Sequence, residues 1–239
     1  MSVLIQSLFV GKARPLPRDG HADVLSGIVK LPQDGKVWLS INGLQGDEQG
    51  DRAYHGGPEK ALHHYAAEHY PHWRSLYADG PVEMVAGAFG ENISTVGMTE
   101  RDVCVGDVYR VGSALLQVSQ GRQPCWKLNR LLRRDGAALA MQESGATGWY
   151  YRVLQEGWLG RGDGLELVER PQPAWPMARL ISALFSSALL LDEWRQAAEI
   201  AQLTSNWRTT FSRRLQTGQV EDWVRRLSEP EQSASTRLN

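Results

Sequence analysis

The spacing of apolar and polar positions divides the chain into a strand-rich part up to residue 170 and a helical part after it. In the first part, apolar side chains recur in short blocks or at every second position, with Gly and Pro between the blocks. The predicted strands are 3–10, 27–31, 37–41, 60–65, 103–105, 108–111, 114–118 and 165–168. Many short strands with few helices favour a closed or nearly closed β-barrel. The expected fold class is therefore mainly β with helices (α+β).

Helical spacing interrupts the strand pattern in a few places. The predicted helices of the first part are 68–77, 127–134, 137–143 and 148–156. Pro71 is compatible with the first of them because it falls in the first turn. Tyr70, Trp73 and Tyr77 recur at three- and four-residue spacing, which predicts a packed helix face. Cys104 lies in an apolar run and is predicted to be a core residue.

A proline-rich stretch separates the two parts. Pro171, Pro173 and Pro176 cannot continue a helix or enter a central strand, so this stretch is predicted to be a stiff linker. Helical periodicity follows at 177–186, 192–203, 207–216 and 220–227. The predicted organisation is a β-barrel domain at 1–170, a linker at 171–176, a helical domain at 177–228 and a flexible tail at 229–239.

Composition places the chain among ordinary globular proteins, with 42% hydrophobic and 22% charged residues. The formal net charge of −1 gives no general attraction to nucleic acid or to anionic membranes. The longest apolar stretch, 180–191, contains three serines and is too short to span a bilayer. Two cysteines and an N-terminus without signal-peptide features predict free thiols in the reducing cytoplasm.

Cys125 is the candidate reactive residue. Pro124 stiffens the backbone beside it, Trp126 offers an apolar wall, and Arg122 and Lys127 bring positive charge close. Cations near a thiol favour the thiolate, which attacks electrophiles and binds soft metals. The alternative is that Cys125 is a small buried hydrophobic residue with charged neighbours.

A glycine-rich segment at 43–62 is the second candidate. Gly56-Gly57-Pro58 must break any helix or strand that runs through it. Glycines let a backbone approach a ligand closely. The polar side chains that such a loop could present are Asp51, Arg52, His55 and Lys60. The alternative is an ordinary surface turn with solvated charges.

Together with Phe89-Gly90-Glu91-Asn92, these two segments resemble the MOSC domain, which is named for the C-terminal domain of molybdenum cofactor sulfurases. The resemblance is to the YiiM-like branch, runs through most of residues 1–170, and includes a short helical C-terminal domain that fits 177–228. The matching residues are Gly46-Asp47, Asp51-Arg52, His55-Gly56-Gly57-Pro58, Lys60-Ala61, Tyr65, Glu68-His69-Tyr70, Trp73, 89–92, 122–128 and 148–157.

The resemblance implies that the protein binds the molybdenum cofactor (molybdopterin). Cys125 would either ligate molybdenum or carry a persulfide, with Asp51 and His55 as further catalytic residues that support the site or handle protons. The cofactor's phosphate and anionic dithiolene need cations and backbone N–H donors. The expected cofactor-binding residues are Arg52, Gly56, Gly57, Lys60, Asn92, Arg122 and Lys127.

The related amidoxime-reducing enzymes imply a reaction class, the two-electron reduction of N-hydroxylated compounds with release of water. The substrate would be a small molecule, with N-hydroxylated base analogues as one option. Two cysteines cannot hold a four-cysteine iron–sulfur cluster, and no flavin or nicotinamide fingerprint is present. We therefore expect no flavin, haem or iron–sulfur cluster in this chain and a separate flavoprotein as electron donor. The oligomeric state stays open, with a homodimer as one option.

Two other functions compete with the reductase. In the first, Cys125 accepts and passes on sulfur as a persulfide, so that the protein is a sulfur carrier. In the second, the protein is a non-enzymatic binding module, because Arg208, Arg213 and Arg214 lie with Trp207 and Phe211 in a segment without acidic residues. Residues 177–239 contain eight Arg/Lys against seven Asp/Glu, which favours a solvated helix face instead.

A zinc site is the remaining alternative. His63, His64, His69 and His72 lie close together in the sequence. No companion cysteine pair or His-Glu-x-x-His pattern accompanies them, and strand and helix geometry would scatter the four rings. The pattern therefore argues against zinc.

Overall fold

A computed structural model describes residues 3–18, 21–50 and 56–229 of the chain. The strands are β1 Val3–Val10, β2 Arg14–Arg18, β3 His21–Ser26, β4 Leu31–Pro32, β5 Val37–Ser40, β6 Gly43–Leu44, β7 Leu62–Ala66, β8 Ile93–Thr95, β9 Val108–Val111, β10 Ala114–Gly121, β11 Trp149–Gln155, β12 Gly157–Leu159 and β13 Gly164–Glu169. The α-helices are α1 Tyr70–Leu76, α2 Lys127–Leu132, α3 Ala137–Ser144, α4 Met177–Phe185, α5 Leu191–Glu199, α6 Ser205–Thr217 and α7 Val224–Leu227. Short 3₁₀-helices cover Pro58–Lys60 and Ala67–His69.

Seven strands close into a barrel in the order β13-β9-β10-β11-β7-β8-β1, because β1 pairs back with β13. Val3 faces Leu165 at this closure. The pairs around the barrel are antiparallel apart from β7 and β8, which run parallel. Outside the barrel, β12, β5 and β6 form a small sheet, and β2 and β3 form a hairpin. The expected α+β barrel, followed by helices, is confirmed.

Residues 149–155 form strand β11, so the prediction of a helix at 148–156 is wrong. Trp149 and Tyr151 are fully buried in the barrel core, whereas Tyr150 between them faces the other way. This alternation is the period of two that strands require, and aromatic side chains favour strands. β11 pairs with β10 on one side and β7 on the other.

Two predicted strands also differ from the structure. At 27–31 the chain leaves the hairpin after Ser26 and pairs again only at Leu31. Gly27 packs so closely that a Cβ would lie 1.9 Å from the carbonyl oxygen of Glu48. At 103–105 an isolated bridge at Cys104 replaces a strand, and the Asp107 carboxylate accepts the Cys104 N–H at 2.9 Å. Cys104 is 4% exposed, which confirms that it is a core residue.

The helical region shares its hydrophobic core with the barrel. Leu116 and Val118 of β10 belong to the same buried cluster as Leu180 of α4 and Trp207 of α6. A smaller cluster lies beneath α1–α3 and contains Tyr70 and Trp73. The predicted packed face of α1 is therefore confirmed. The boundary at 171–176 stays a prediction, and the predicted tail lies outside the described residues after position 229.

Helix α6 buries most of the side chains on which the binding-module alternative was based. Trp207 and Phe211 are both fully buried. Arg214 is fully buried as well, and it donates hydrogen bonds to the carbonyl oxygens of Ala183 (3.2 Å) and Leu184 (2.7 Å). Three of the five residues behind that alternative thus belong to the core. Within the described ranges, no helix combines the length and apolar character required to cross a bilayer.

We predict that acid destabilises the barrel through His64. Its ring nitrogens contact the Tyr151 hydroxyl at 3.0 Å and the Thr95 hydroxyl at 2.8 Å. Burial lowers the pKa of His64 to about 3. Between pH ~6.5 and 3, His64 is therefore protonated in the unfolded chain and neutral in the folded chain. Stability is therefore lost on acidification from pH ~6.5 towards 3. Between pH 7 and 5, His64→Gln should reduce the loss by about 2 kcal/mol.

Urea unfolding at both pH values measures this difference, with His72→Gln, an exposed histidine of α1, as the control. An unchanged pH dependence in His64→Gln would contradict the assignment.

Gly121 is predicted to be required where the barrel meets the helices. A Cβ there would lie 2.7 Å from Ile181 Cγ1 and 3.1 Å from the Trp207 ring, and both side chains are buried. Gly121→Ala should cost about 1–3 kcal/mol of unfolding free energy through overpacking. Gly35→Ala is the matched control because its Cβ meets open space. Equal unfolding free energies for the two variants in a urea titration would refute this packing account.

Candidate active site

A cavity of about 90 Å³ lies beside the barrel between the hairpin, the glycine-rich segment and the loop that joins β10 to α2. Cys125 lines it and is partly exposed. The charged and amide side chains along its wall are Lys30, Asp47, Glu48, Gln49, Lys60, Asn92, Arg122, Gln123 and Lys127. Three residues with aromatic rings, His63, Phe89 and Tyr150, also line it.

The Cys125 loop is held between β10 and α2. At its start, the Arg122 backbone N–H donates to the carbonyl oxygen of Gly148 at 3.0 Å. At its end, the Leu128 N–H donates to the carbonyl oxygen of Cys125 at 2.9 Å, which begins α2. The Arg122 guanidinium is 7% exposed and donates to the carbonyl oxygen of Phe89 at 2.8 Å. The fold thus fixes a guanidinium and the thiol on the same cavity wall.

Lys60 reaches the cavity from the 3₁₀-helix that precedes β7. Burial lowers the pKa of Lys60, the Arg226 charge lowers it further, and Glu59 opposes both effects. Lys127, the first residue of α2, is 8% exposed, and its Nζ donates to the carbonyl oxygen of Leu25 at 3.4 Å. Both ammonium groups are therefore largely removed from water.

Asp47 organises a further part of the wall. Its carboxylate forms a buried ion pair with Lys30 and accepts hydrogen bonds from the Gly11 N–H (2.8 Å) and the Asn92 side chain (2.9 Å). Burial lowers the pKa of Lys30, and the Asp47 charge counteracts this effect. The Asn92 side-chain oxygen in turn accepts the His63 backbone N–H of β7 at 3.0 Å, and the Asn92 side-chain NH₂ donates to the carbonyl oxygen of Phe9 in β1 at 3.3 Å. Asn92 therefore links strands β7 and β1 with the same amide that lines the cavity.

His63 and Tyr150 form an uncharged part of the wall, with ring centroids 4.9 Å apart. Burial, reinforced by the Arg122 charge, lowers the pKa of His63 well below its usual value, so its imidazole is neutral at pH 7. Burial raises the pKa of Tyr150, so its phenol keeps its proton.

Among the residues that the structure describes, the wall carries more positive than negative charge. Lys30, Lys60, Arg122 and Lys127 stand against the carboxylates of Asp47 and Glu48, and the latter also binds the Lys12 ammonium outside the cavity at 2.9 Å. Buried charges are costly without partners of opposite sign. The arrangement therefore suits an anionic ligand.

The structure brings half of the predicted site residues together. Those at the cavity are Cys125, Lys60, Asn92, Arg122 and Lys127. Asp51, Arg52 and His55 lie outside the described residues. Gly56 and Gly57 are described but do not line the cavity, and Gly57 adopts a positive φ of 93° before the turn at Pro58. The cofactor-binding roles of these two glycines stay predictions.

Sequence reasoning did not assign Lys30, His63 or Tyr150 to the site. Tyr150 was hidden by the wrong helix prediction at 148–156, whereas the correct strand alternation would have placed it opposite Trp149. Lys30 carried a weak signal as a charge within an apolar run, and His63 was considered only as a zinc ligand. Asp47 appeared in the matched pattern without a role.

The four neighbouring histidines do not converge. His64 lies inside the barrel and His63 on the cavity wall. His69 binds Glu100 at 2.7 Å, and His72 is exposed on α1. Across the ranges that the structure describes, no group of three or more His, Cys, Asp or Glu side chains is arranged to hold a metal ion.

Comparison with known proteins supports the same architecture. The MOSC domain matches residues 51–166, and the YiiM-like 3-alpha helix domain matches residues 175–218. Protein YiiM of Escherichia coli is 39% identical over 220 residues, which are 92% of this chain and 96% of that protein. A Gibberella moniliformis protein named Reductase is 40% identical over 178 residues, which are 73% of this chain and 32% of that protein.

Among solved structures, YiiM from Escherichia coli superposes with a TM-score of 0.80 at 33% identity, covering 96% of this chain and all of that one. Fold and site together define a class of α+β barrel proteins with a C-terminal helical region and a cysteine at a cation-lined cavity. The chain belongs to the MOSC domain family, in the branch with the YiiM-like 3-alpha helix domain.

The MOSC family is associated with the molybdenum cofactor, and the donor set of this cavity fits that group. A thiol suits a sulfur-ligated metal, and buried ammonium and guanidinium groups suit phosphate. Ordinary ligand pockets measure about 300–1,000 Å³, so this cavity has room for only one end of such a cofactor.

We predict that Asp47→Asn destabilises the protein because it leaves the Lys30 ammonium buried without its carboxylate. The two side chains are only 6% and 3% exposed, and the expected cost is about 3–5 kcal/mol of unfolding free energy. The double variant Asp47→Asn/Lys30→Met should recover part of that loss, because no unpaired charge remains.

Urea unfolding of the singles and the double variant gives the coupling energy. Lys12→Met, which breaks an exposed ion pair with Glu48, serves as the control and should cost less than about 1 kcal/mol. Strictly additive effects of the two substitutions would contradict a coupled buried pair.

Proposed function

We propose that this protein is a molybdenum-cofactor-dependent reductase of N-hydroxylated compounds, with Cys125 as the protein ligand of molybdenum. The observation that carries the proposal is a partly exposed thiol on a cavity wall that also holds four cations. Membership of the MOSC family and the name of the fungal relative support a reductase.

We propose specific roles for the thiol and the cations of the wall. Cys125 supplies a sulfur, and Lys60, Arg122 and Lys127 bind the anionic groups of the cofactor. Lys30 stays paired with Asp47 and holds the wall in place. When bound, the molybdenum centre supplies the two-electron redox change.

Reduction of an N-hydroxylated substrate breaks its N–O bond, consumes two electrons and two protons, and yields the N–H product and water. Tyr150 lines the cavity and burial raises the pKa of its phenol, so we propose it as a hydrogen-bond donor to the substrate and not as a source of the protons. The lowered pKa of Lys60 makes its Nζ a better acid than a surface lysine. Asp51 and His55 remain proposed proton-handling residues.

The electrons are proposed to come from a separate flavoprotein, and N-hydroxylated base analogues are the proposed substrates. Neither Cys104 nor Cys125 forms a disulfide. This state suits the reducing cytoplasm, which we propose as the location.

We predict that Cys125→Ser loses molybdenum. Wild-type protein purified from a molybdenum-replete host should contain molybdenum and pterin. The Cys125→Ser protein should contain at least about tenfold less of each, because the soft thiolate ligand is replaced by a weakly binding hydroxyl. Metal analysis and pterin fluorescence measure the two contents, and the thermal midpoint reports folding.

Cys104→Ser is the matched control because Cys104 is the other cysteine and lies in the core. It should keep its molybdenum. Full molybdenum and pterin contents in Cys125→Ser would overturn the assigned role.

The sulfur carrier stays the second candidate, because a single accessible thiol is also what persulfide chemistry needs. Intact-mass spectrometry separates the two functions. An adduct of one sulfur atom on Cys125 in protein without molybdenum supports the carrier. Stoichiometric molybdenum without that adduct supports the reductase.

A further inference from the structure

Helix α7 of the C-terminal region lies against the Cys125 loop, and its Arg226 forms hydrogen bonds with that loop. The Arg226 guanidinium donates from Nε to the carbonyl oxygen of Pro124 at 3.0 Å and from Nη2 to that of Gln123 at 2.9 Å. The backbone carbonyl of Arg226 accepts the Trp126 N–H at 2.8 Å. The three bonds hold the residues on both sides of Cys125.

These bonds matter because the loop lies outside regular secondary structure. Buried backbone groups need hydrogen-bond partners, and in a loop the ladders of sheets and helices do not supply them. A guanidinium presents several donors in one rigid plane, so it can bind two successive carbonyl oxygens at once. An ammonium has no such fixed fork.

Helix α7 is itself anchored at both of its ends. Asn129 of α2 donates to the carbonyl oxygen of Leu227 at 2.8 Å. The Trp223 ring packs against Phe185 of α4 with centroids 5.4 Å apart. Because α7 is held by these contacts, the position of Arg226 relative to the loop is fixed.

A separate set of bonds ties the Lys60 turn to the same region. The Glu59 carboxylate accepts from Arg152 at 2.9 Å and from the Ser205 N–H of α6 at 3.2 Å. Arg152 also donates to the carbonyl oxygen of Gln202 at 2.8 Å. Both cavity segments, those of Cys125 and Lys60, are thus bonded to the C-terminal helical region.

We propose that Arg226 is a positioning residue that fixes the Cys125 loop. Through this residue, the C-terminal helical region holds the thiol in place in the active site. The inference rests on the proposed function only for the role of Cys125. Its structural content, the restraint of the loop by Arg226, is testable without cofactor.

The test is hydrogen–deuterium exchange of the full-length, cofactor-free protein, read on peptides that cover 121–128. In Arg226→Met, exchange of these amides should be about tenfold faster than in the wild type, because the loop opens locally. Arg225→Met is the matched control, since Arg225 is the exposed neighbour on the same helix, and it should leave the exchange unchanged.

Arg226→Lys separates hydrogen-bond geometry from charge. It keeps the positive charge but loses the fork, so we expect its loop exchange to stay close to that of Arg226→Met. Wild-type exchange in Arg226→Lys would overturn the proposal, as would unchanged exchange in Arg226→Met. Faster exchange spread over the whole barrel would also overturn it, because it would show a general stability role.

Molybdenum retention gives a second measurement on protein from a molybdenum-replete host. The molybdenum content of Arg226→Met should be at least about fivefold lower than that of Arg225→Met, since misplacement of a ligand weakens metal binding. Equal retention in the two variants would contradict a role in the site. If the wild type binds no molybdenum, the proposed function fails, and the exchange experiment alone decides on Arg226.

Discussion

Positive charge buried around one thiol is the constraint on which the rest of this structure depends. Lys30, Lys60, Arg122 and Lys127 all line the cavity that Cys125 shares. Desolvation opposes each of these charges, and it lowers the pKa values of Lys30 and Lys60. Asp47 neutralises one of them directly. Among the wall residues that the structure describes, cations outnumber carboxylates, which suits a site that receives an anionic ligand.

The barrel and the helices contribute to this site in different ways. Strands β7, β8 and β11 give the rigid wall, and the Asp47–Asn92–His63 chain of hydrogen bonds fixes its register. The cysteine, by contrast, lies on a loop whose backbone is bonded to α7. The shared hydrophobic core explains why the C-terminal helices can hold that loop still: they pack on β10, the strand from which the loop departs.

Local pattern was enough to predict the barrel, the C-terminal helices and the candidate thiol, because strand alternation, helical spacing and a rare cysteine among cations are visible in short windows. The failures came where tertiary context decides. The aromatic run at 149–151 satisfies either a helix or a strand until its neighbours β7 and β10 are known. Arg226 lies about a hundred positions after Cys125, and no spacing rule joins them. The roles of Asp51, Arg52 and His55 rest on the family resemblance alone.

Anomalous diffraction at the molybdenum absorption edge is the most direct test of the account, applied to crystals of protein whose molybdenum content has been established. The account predicts one strong peak inside the Cys125 cavity, within bonding distance of the Cys125 sulfur, with phosphate density among Lys60, Arg122 and Lys127. A peak at any other place, with the Cys125 sulfur distant from it, would contradict the central claim that this thiol and these cations form the molybdenum cofactor site.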